Sequence, residues 1–89
     1  MNIILMDVKW VQDDLIGAIG TYVGSSKDNR AVLFVKGIGN VLVSCKSDTS
    51  VLELGREYSC CIILYRRYIR DKNNKFVQTG VSKYIAELI

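Results

Sequence analysis

Apolar and polar positions alternate with a period of two along much of this chain. In "AVLFVKG", residues 31–37, one set is Ala31, Leu33 and Val35, and the other is Val32, Phe34 and Lys36. Successive side chains of a strand point to opposite faces, so the uniformly apolar first set faces a core and Phe34 and Lys36 turn outward. "NVLVSC", residues 40–45, is a second β-rich run, and the glycines of the intervening "GIGN" permit positive φ; together they predict a hairpin over residues 31–45. Residues 57–70 have the length of a long strand, and so do residues 75–89. In the latter, Val77, Val81 and Ile85 share one face and Gln78, Ser82 and Ala86 the other. "RDKNNK" joins the two; Asp and Asn tolerate left-handed backbone and bond their own main chain, which suits a hairpin loop. Within "SDTSVLELGREY", Asp48, Thr49 and Ser50 supply caps and Gly55 a stop, which predicts a short helix near residues 48–54.

"DDLIGAIGTYVGSSKDNR", residues 13–30, carries two patterns. Leu15, Ile16, Ile19, Tyr22 and Val23 fall at helical spacing behind Asp13 and Asp14, with Gly24 as a stop. Gly17 and Gly20 would together cost an isolated helix about 2 kcal/mol, whereas glycine in a strand marks a bend or a close approach. The strand reading is the one taken, over residues 15–23. Residues 1–14 then add an N-terminal strand extension, or the first half of one long bent strand. The chain reads as mostly β: one domain over residues 1–89, a small five- to six-stranded antiparallel barrel with one short helix.

The element order, with strands at 15–23, 30–37, 39–46, 57–70 and 75–88, resembles an OB-fold. "LELGREYSCCIIL" looks like the helix, glycine and strand entry of that fold, and an SH3-like barrel accommodates the first hairpins equally well. Among OB-fold families the chain is similar in size to the small single-stranded DNA-binding proteins of phages and mobile elements. That resemblance implies a ligand lying over the second and third strands, flanked by the loops between strands one and two and strands four and five.

Composition narrows the chemistry. Three cysteines, Cys45, Cys60 and Cys61, are a poor disulfide framework and suit a reducing compartment as apolar fillers. With no histidine and no CxxC spacing, a zinc site lacks ligands and most general-base and nucleophile schemes lack their base. Asp13 with Asp14, and Glu53 with Glu57, do not form a matched acid and base. No catalytic residue, metal or cofactor is expected. "MNIILMD" is unlike a secretory signal, and no apolar run approaches the roughly 18 to 20 residues that span a bilayer, so a soluble, cytoplasmic protein is expected.

Charge is concentrated. The net charge is +3, but Arg66, Arg67, Arg70, Lys72, Lys75 and Lys83 against Asp71 give residues 66–83 a charge of +5 and leave −2 elsewhere. In an extended strand Arg66, Tyr68 and Arg70 share one face, and Tyr65, Arg67 and Ile69 the other. A basic, aromatic, basic row lets guanidinium groups follow phosphates while a ring stacks on a base. Both flanking loops are basic: "GSSKDNR" with Lys27 and Arg30, and "RDKNNK" with Lys72 and Lys75 beside Arg70.

The expected function is therefore sequence-tolerant binding of single-stranded nucleic acid, DNA by the resemblance. The expected site is Lys27, Arg30, Phe34, Lys36, Arg66, Tyr68, Arg70, Lys72 and Lys75, with Lys46 extending it, and a homodimer would lengthen the groove. A protein-interaction module such as a phage-encoded inhibitor or assembly subunit is the alternative, using an exposed strand edge or the N-terminal segment as contact surface. Trp10 is expected in a core or a dimer contact, and Tyr84 half-buried on the face opposite Lys83.

Overall fold

The computed structural model describes residues 7–89. Five strands and one turn of 3-10 helix follow in order: β1 Val8–Ser25, β2 Ala31–Val35, β3 Gly39–Val43, the turn Thr49–Val51, β4 Glu57–Arg70 and β5 Phe76–Leu88. They close into a barrel in the order β1-β2-β3-β5-β4, with β4 returning to β1. Insertion of β5 between β3 and β4 is the OB-like arrangement, as opposed to the SH3-like one. The one departure from an antiparallel barrel is β3 with β5, which run parallel through Leu42–Ile85 and Val43–Ala86.

Residues 13–23 are strand throughout, part of one long bent β1 that absorbs the described part of the N-terminal extension; residues 1–6 lie outside the described residues. Gly20 explains why a glycine suits the barrel interior: a Cβ there would stand 3.0 Å from the Leu33 Cβ. The alternation read in residues 31–35 holds, with Ala31, Leu33 and Val35 buried and Phe34 46% exposed. These residues pack with Val41, Val43, Cys60, Ile62 and Ala86, and the Cys60 thiol donates to the Ala18 carbonyl at 3.6 Å. Cys60 and Cys61 do face opposite ways, one buried and one half-buried; Cys45 is exposed.

In place of the expected helix at 48–54 there is a single 3-10 turn. Asp48 caps it by accepting from the Ser50 N–H at 3.0 Å. The Tyr58 hydroxyl then accepts from the Glu53 N–H at 2.6 Å and donates to the Val51 carbonyl at 3.2 Å, holding the chain before a longer helix develops.

Beyond the barrel, β1, β4 and β5 continue as a three-stranded arm, and the chain is elongated, 48 × 28 × 20 Å. Here the face expected to be apolar in β5 is not a core: Val77 and Val81 are 42% and 40% exposed, while Ala86, on the other face, is fully buried. Among the described residues the arm has only one layer, so none of them covers either face. A bulge between Gln12 and Asp14 in β1, and a wider one around Gly80 (φ 79°) in β5, bend it; positive φ there favours glycine. Among the described residues no helix is long and apolar enough to cross a membrane.

Candidate nucleic-acid interface

β4 is the central strand of the arm and runs without a bulge, so its alternation assigns every neighbour to a face. Arg66, Tyr68 and Arg70 lie on one face, as the sequence predicts. Across β1 they meet Val11 and Lys9, and across β5 Ser82, Gln78 and Phe76. The Phe76 ring carries the Lys9 ammonium at 5.3 Å and the Arg70 guanidinium at 5.1 Å. Two of the three β4 and β1 cations are already answered: Arg66 bonds Asp13 at 2.7 Å and Arg70 pairs with Asp7 at 3.2 Å. The hydrogen bond and then the charge of Asp13 raise the Arg66 pKa further above its ordinary value. This face is close to neutral as built.

The other face holds Tyr65, Arg67 and Ile69, with Trp10 opposite Arg67 and Lys83 opposite Tyr65. The Lys83 ammonium sits 4.1 Å from the centre of the Trp10 ring and 5.9 Å from that of Tyr65, a cation held between two aromatic surfaces. Arg67 is fixed at the edge of this face by donating from Nε to the Thr79 hydroxyl at 3.1 Å.

The same face borders an open groove of about 310 Å³ lined by Trp10, Tyr65, Lys83 and Ile85 from the arm and by Arg30, Ser44, Cys45 and Lys46 from the barrel. Arg30 is half-buried; its Nη2 donates to the Val43 carbonyl at 2.8 Å, and its buried Nε has no partner among the described residues. Three cations thus line the groove, no carboxylate does, and none of the three is in an ion pair among the described residues. A half-buried guanidinium with rings across the groove and no carboxylate beside it favours an incoming anion.

The remaining expected residues are spread over the loops and strands outside this groove. Lys27 is exposed in the β1–β2 loop, whose Ser26 N–H donates to the Arg30 carbonyl at 2.7 Å. Lys72 and Lys75 are exposed in the β4–β5 loop, which Asp71 organises by accepting from the Asn73 and Lys75 N–H groups at 2.9 and 3.0 Å. Phe34 projects outward two positions along β2 from Val32, in the row Val32, Leu42, Ile85, Ile63 that leads to the groove. Lys36 is exposed in the β2–β3 turn. Of the expected set, only Arg30 lines the groove, together with Lys46. Arg66, Tyr68 and Arg70 are on the opposite face of the arm.

Trp10, Tyr65 and Lys83 were missed. Alternation places Tyr65 and Arg67 together on the second face, but Lys83 comes opposite Tyr65 only through the bulge around Gly80, and Trp10 joins them only through the β1–β4 register. Trp10 is half-buried and lies under Lys83, on the arm and outside the barrel core. Tyr84 is 39% exposed and shares the Leu64 row, opposite Lys83. Compared with protein-family models, curated proteins and solved structures, the chain matches none.

Proposed function

We propose that this protein binds single-stranded nucleic acid, DNA in the first instance, without reading its sequence. One observation carries the reading: Arg30, Lys46 and Lys83 converge, unpaired and with no carboxylate among them, on a groove walled by Trp10 and Tyr65. In the free protein Lys83 occupies the ring surfaces. A strand entering the groove draws that ammonium onto a phosphate and leaves Trp10 and Tyr65 to stack on bases, a contact that tolerates any base. Lys72 and Lys75 at the arm tip and Lys27 beside Arg30 extend the positive path in both directions. Binding without catalysis is the role proposed, in a cytoplasmic protein.

Fluorescence anisotropy of a labelled ~30-nucleotide single strand, titrated at ~50 and ~200 mM salt, tests this directly. Micromolar or tighter binding that weakens with salt supports it; no binding at the lower salt overturns it. A role in protein contacts has its own support, the exposed Leu15, Ile16 and Ile19 on β1, at 55%, 46% and 54%.

A further inference from the structure

β1 pairs with β4 from Val8 to Thr21, but with β2 only from Gly20 onward. Among the described residues its other edge therefore has no strand beside it from Val8 to Ile19. Unpaired N–H and C=O groups along so long an edge form a template for another strand. The arm's second edge, on β5, likewise has no strand beside it before Ile85 among the described residues. The two edges differ in charge. From Phe76 to Ile85 β5 carries Lys83 and no carboxylate, so a copy of itself offers it no opposite charge; β1 carries both signs, in Lys9, Asp13 and Asp14.

We infer that the β1 edge is a homodimer seam, in which a second copy of this chain pairs antiparallel to the first with Val11 on the two-fold axis. Opposite residues of an antiparallel pair share a face, and that register sets Lys9 of each copy against Asp13 of the other. Both belong to one face: Lys9 lies beside Tyr68, and the Asp13 carboxylate is bonded to Arg66. Asp13 would then bridge Arg66 of its own chain and Lys9 of the second. The bulge at Asp13 ends the regular run, so the seam spans Lys9 to Asp13 and is concentration-dependent rather than permanent.

A two-fold perpendicular to the sheet turns the same face of both copies to the same side. Trp10 of each copy lies opposite Gln12 of the other and diagonal to the second Trp10, so the two aromatic grooves adjoin. The seam stands on the β1 edge alone; its effect on the groove rests on the nucleic-acid reading.

Sedimentation equilibrium of the wild type, Lys9→Glu, Asp13→Lys and an equimolar mixture of the two variants tests the register, with circular dichroism to check that each folds. Both positions are exposed. The wild type is expected to reach twice the chain mass by ~100 μM, and each reversal, which sets like charges together twice, to weaken it at least about tenfold. The mixture restores the dimer, because only the mixed pair has both contacts opposite in sign. A monomeric wild type, or a dimer indifferent to both reversals, overturns the seam. Anisotropy on the same samples reports strand binding separately, so its loss without loss of the dimer counts against the groove alone.

Discussion

Replacing Lys83 by glutamine removes a charge from the groove while keeping most of the side chain that covers Trp10 and Tyr65. Each cation that neutralises a phosphate of a single strand contributes about −0.7 to the slope of log affinity against log salt. If Arg30, Lys46 and Lys83 each meet one phosphate, the slope is near −2, and a fourfold rise in salt weakens binding roughly 20-fold. Lys83→Gln is expected to bring the slope to about −1.4 and that loss to about 7-fold. Trp10→Ala works on another quantity: losing a stacking surface costs about 1 to 3 kcal/mol, roughly 5- to 150-fold in affinity, with the slope unchanged. Arg66→Gln, on the opposite face and paired with Asp13, should leave the slope as it was. Anisotropy titrations at four salt concentrations separate these outcomes. An unchanged slope in Lys83→Gln, or a slope shift in Arg66→Gln as large as expected for Lys83, would refute the assignment of the groove face.

Other outcomes concern the scaffold. Gly20→Ala sets a Cβ 3.0 Å from the Leu33 Cβ and 3.1 Å from its Cδ1, and is expected to lose about 1 to 3 kcal/mol in urea unfolding. Leu33→Ala empties a fully buried position and should cost about 2 to 5 kcal/mol, enough to leave much of a domain this small unfolded at 37 °C. Burial, and then the neighbouring Cys61 charge, hold the Cys60 thiol above its ordinary 9.0. The unfolded chain therefore releases that proton first: the stabilising contribution is complete below pH 9.0 and declines as pH rises toward the folded value, a decline in melting temperature that Cys60→Ala should lessen. With a thiol reagent at neutral pH, exposed Cys45 should react first and Cys60 only on unfolding.

The barrel was legible because its strands are covered on one side. Ala31, Leu33 and Val35 had to point inward whatever followed, and "GIGN" and "RDKNNK" behave as their turn chemistry requires, with Gly37, Gly39 and Asn74 at positive φ. The arm was harder to read. Alternation specifies which residues share a face, but a single-layered sheet gives no sign of which face is used, and Val77 and Val81 look like core residues without being so. The charge row at Arg66, Tyr68 and Arg70 was placed correctly on one face. Its neutralisation was hidden, because Asp13 on β1 and Asp7 just before it reach it from more than fifty residues away in sequence. Trp10, Tyr65 and Lys83 likewise come from three strands and meet only once the β1–β4 register is known. The missing helix at 48–54 traces to Tyr58, whose hydroxyl takes backbone groups that a longer helix would have used.

The β1–β4 register also governs how the chain reaches this state. It joins Val8–Thr21 to Glu57–Ile69, so the first strand made is closed by one of the last. Loop closure over that separation must precede the contacts that reward it, which places the barrel among slow folders, on the order of milliseconds to seconds. The β2–β3 hairpin is local and forms early. A nascent chain halted after Val43 has that hairpin and the apolar β1 in the open, with β4 still to come, and the interval before Ile69 emerges is when it is most exposed to self-association.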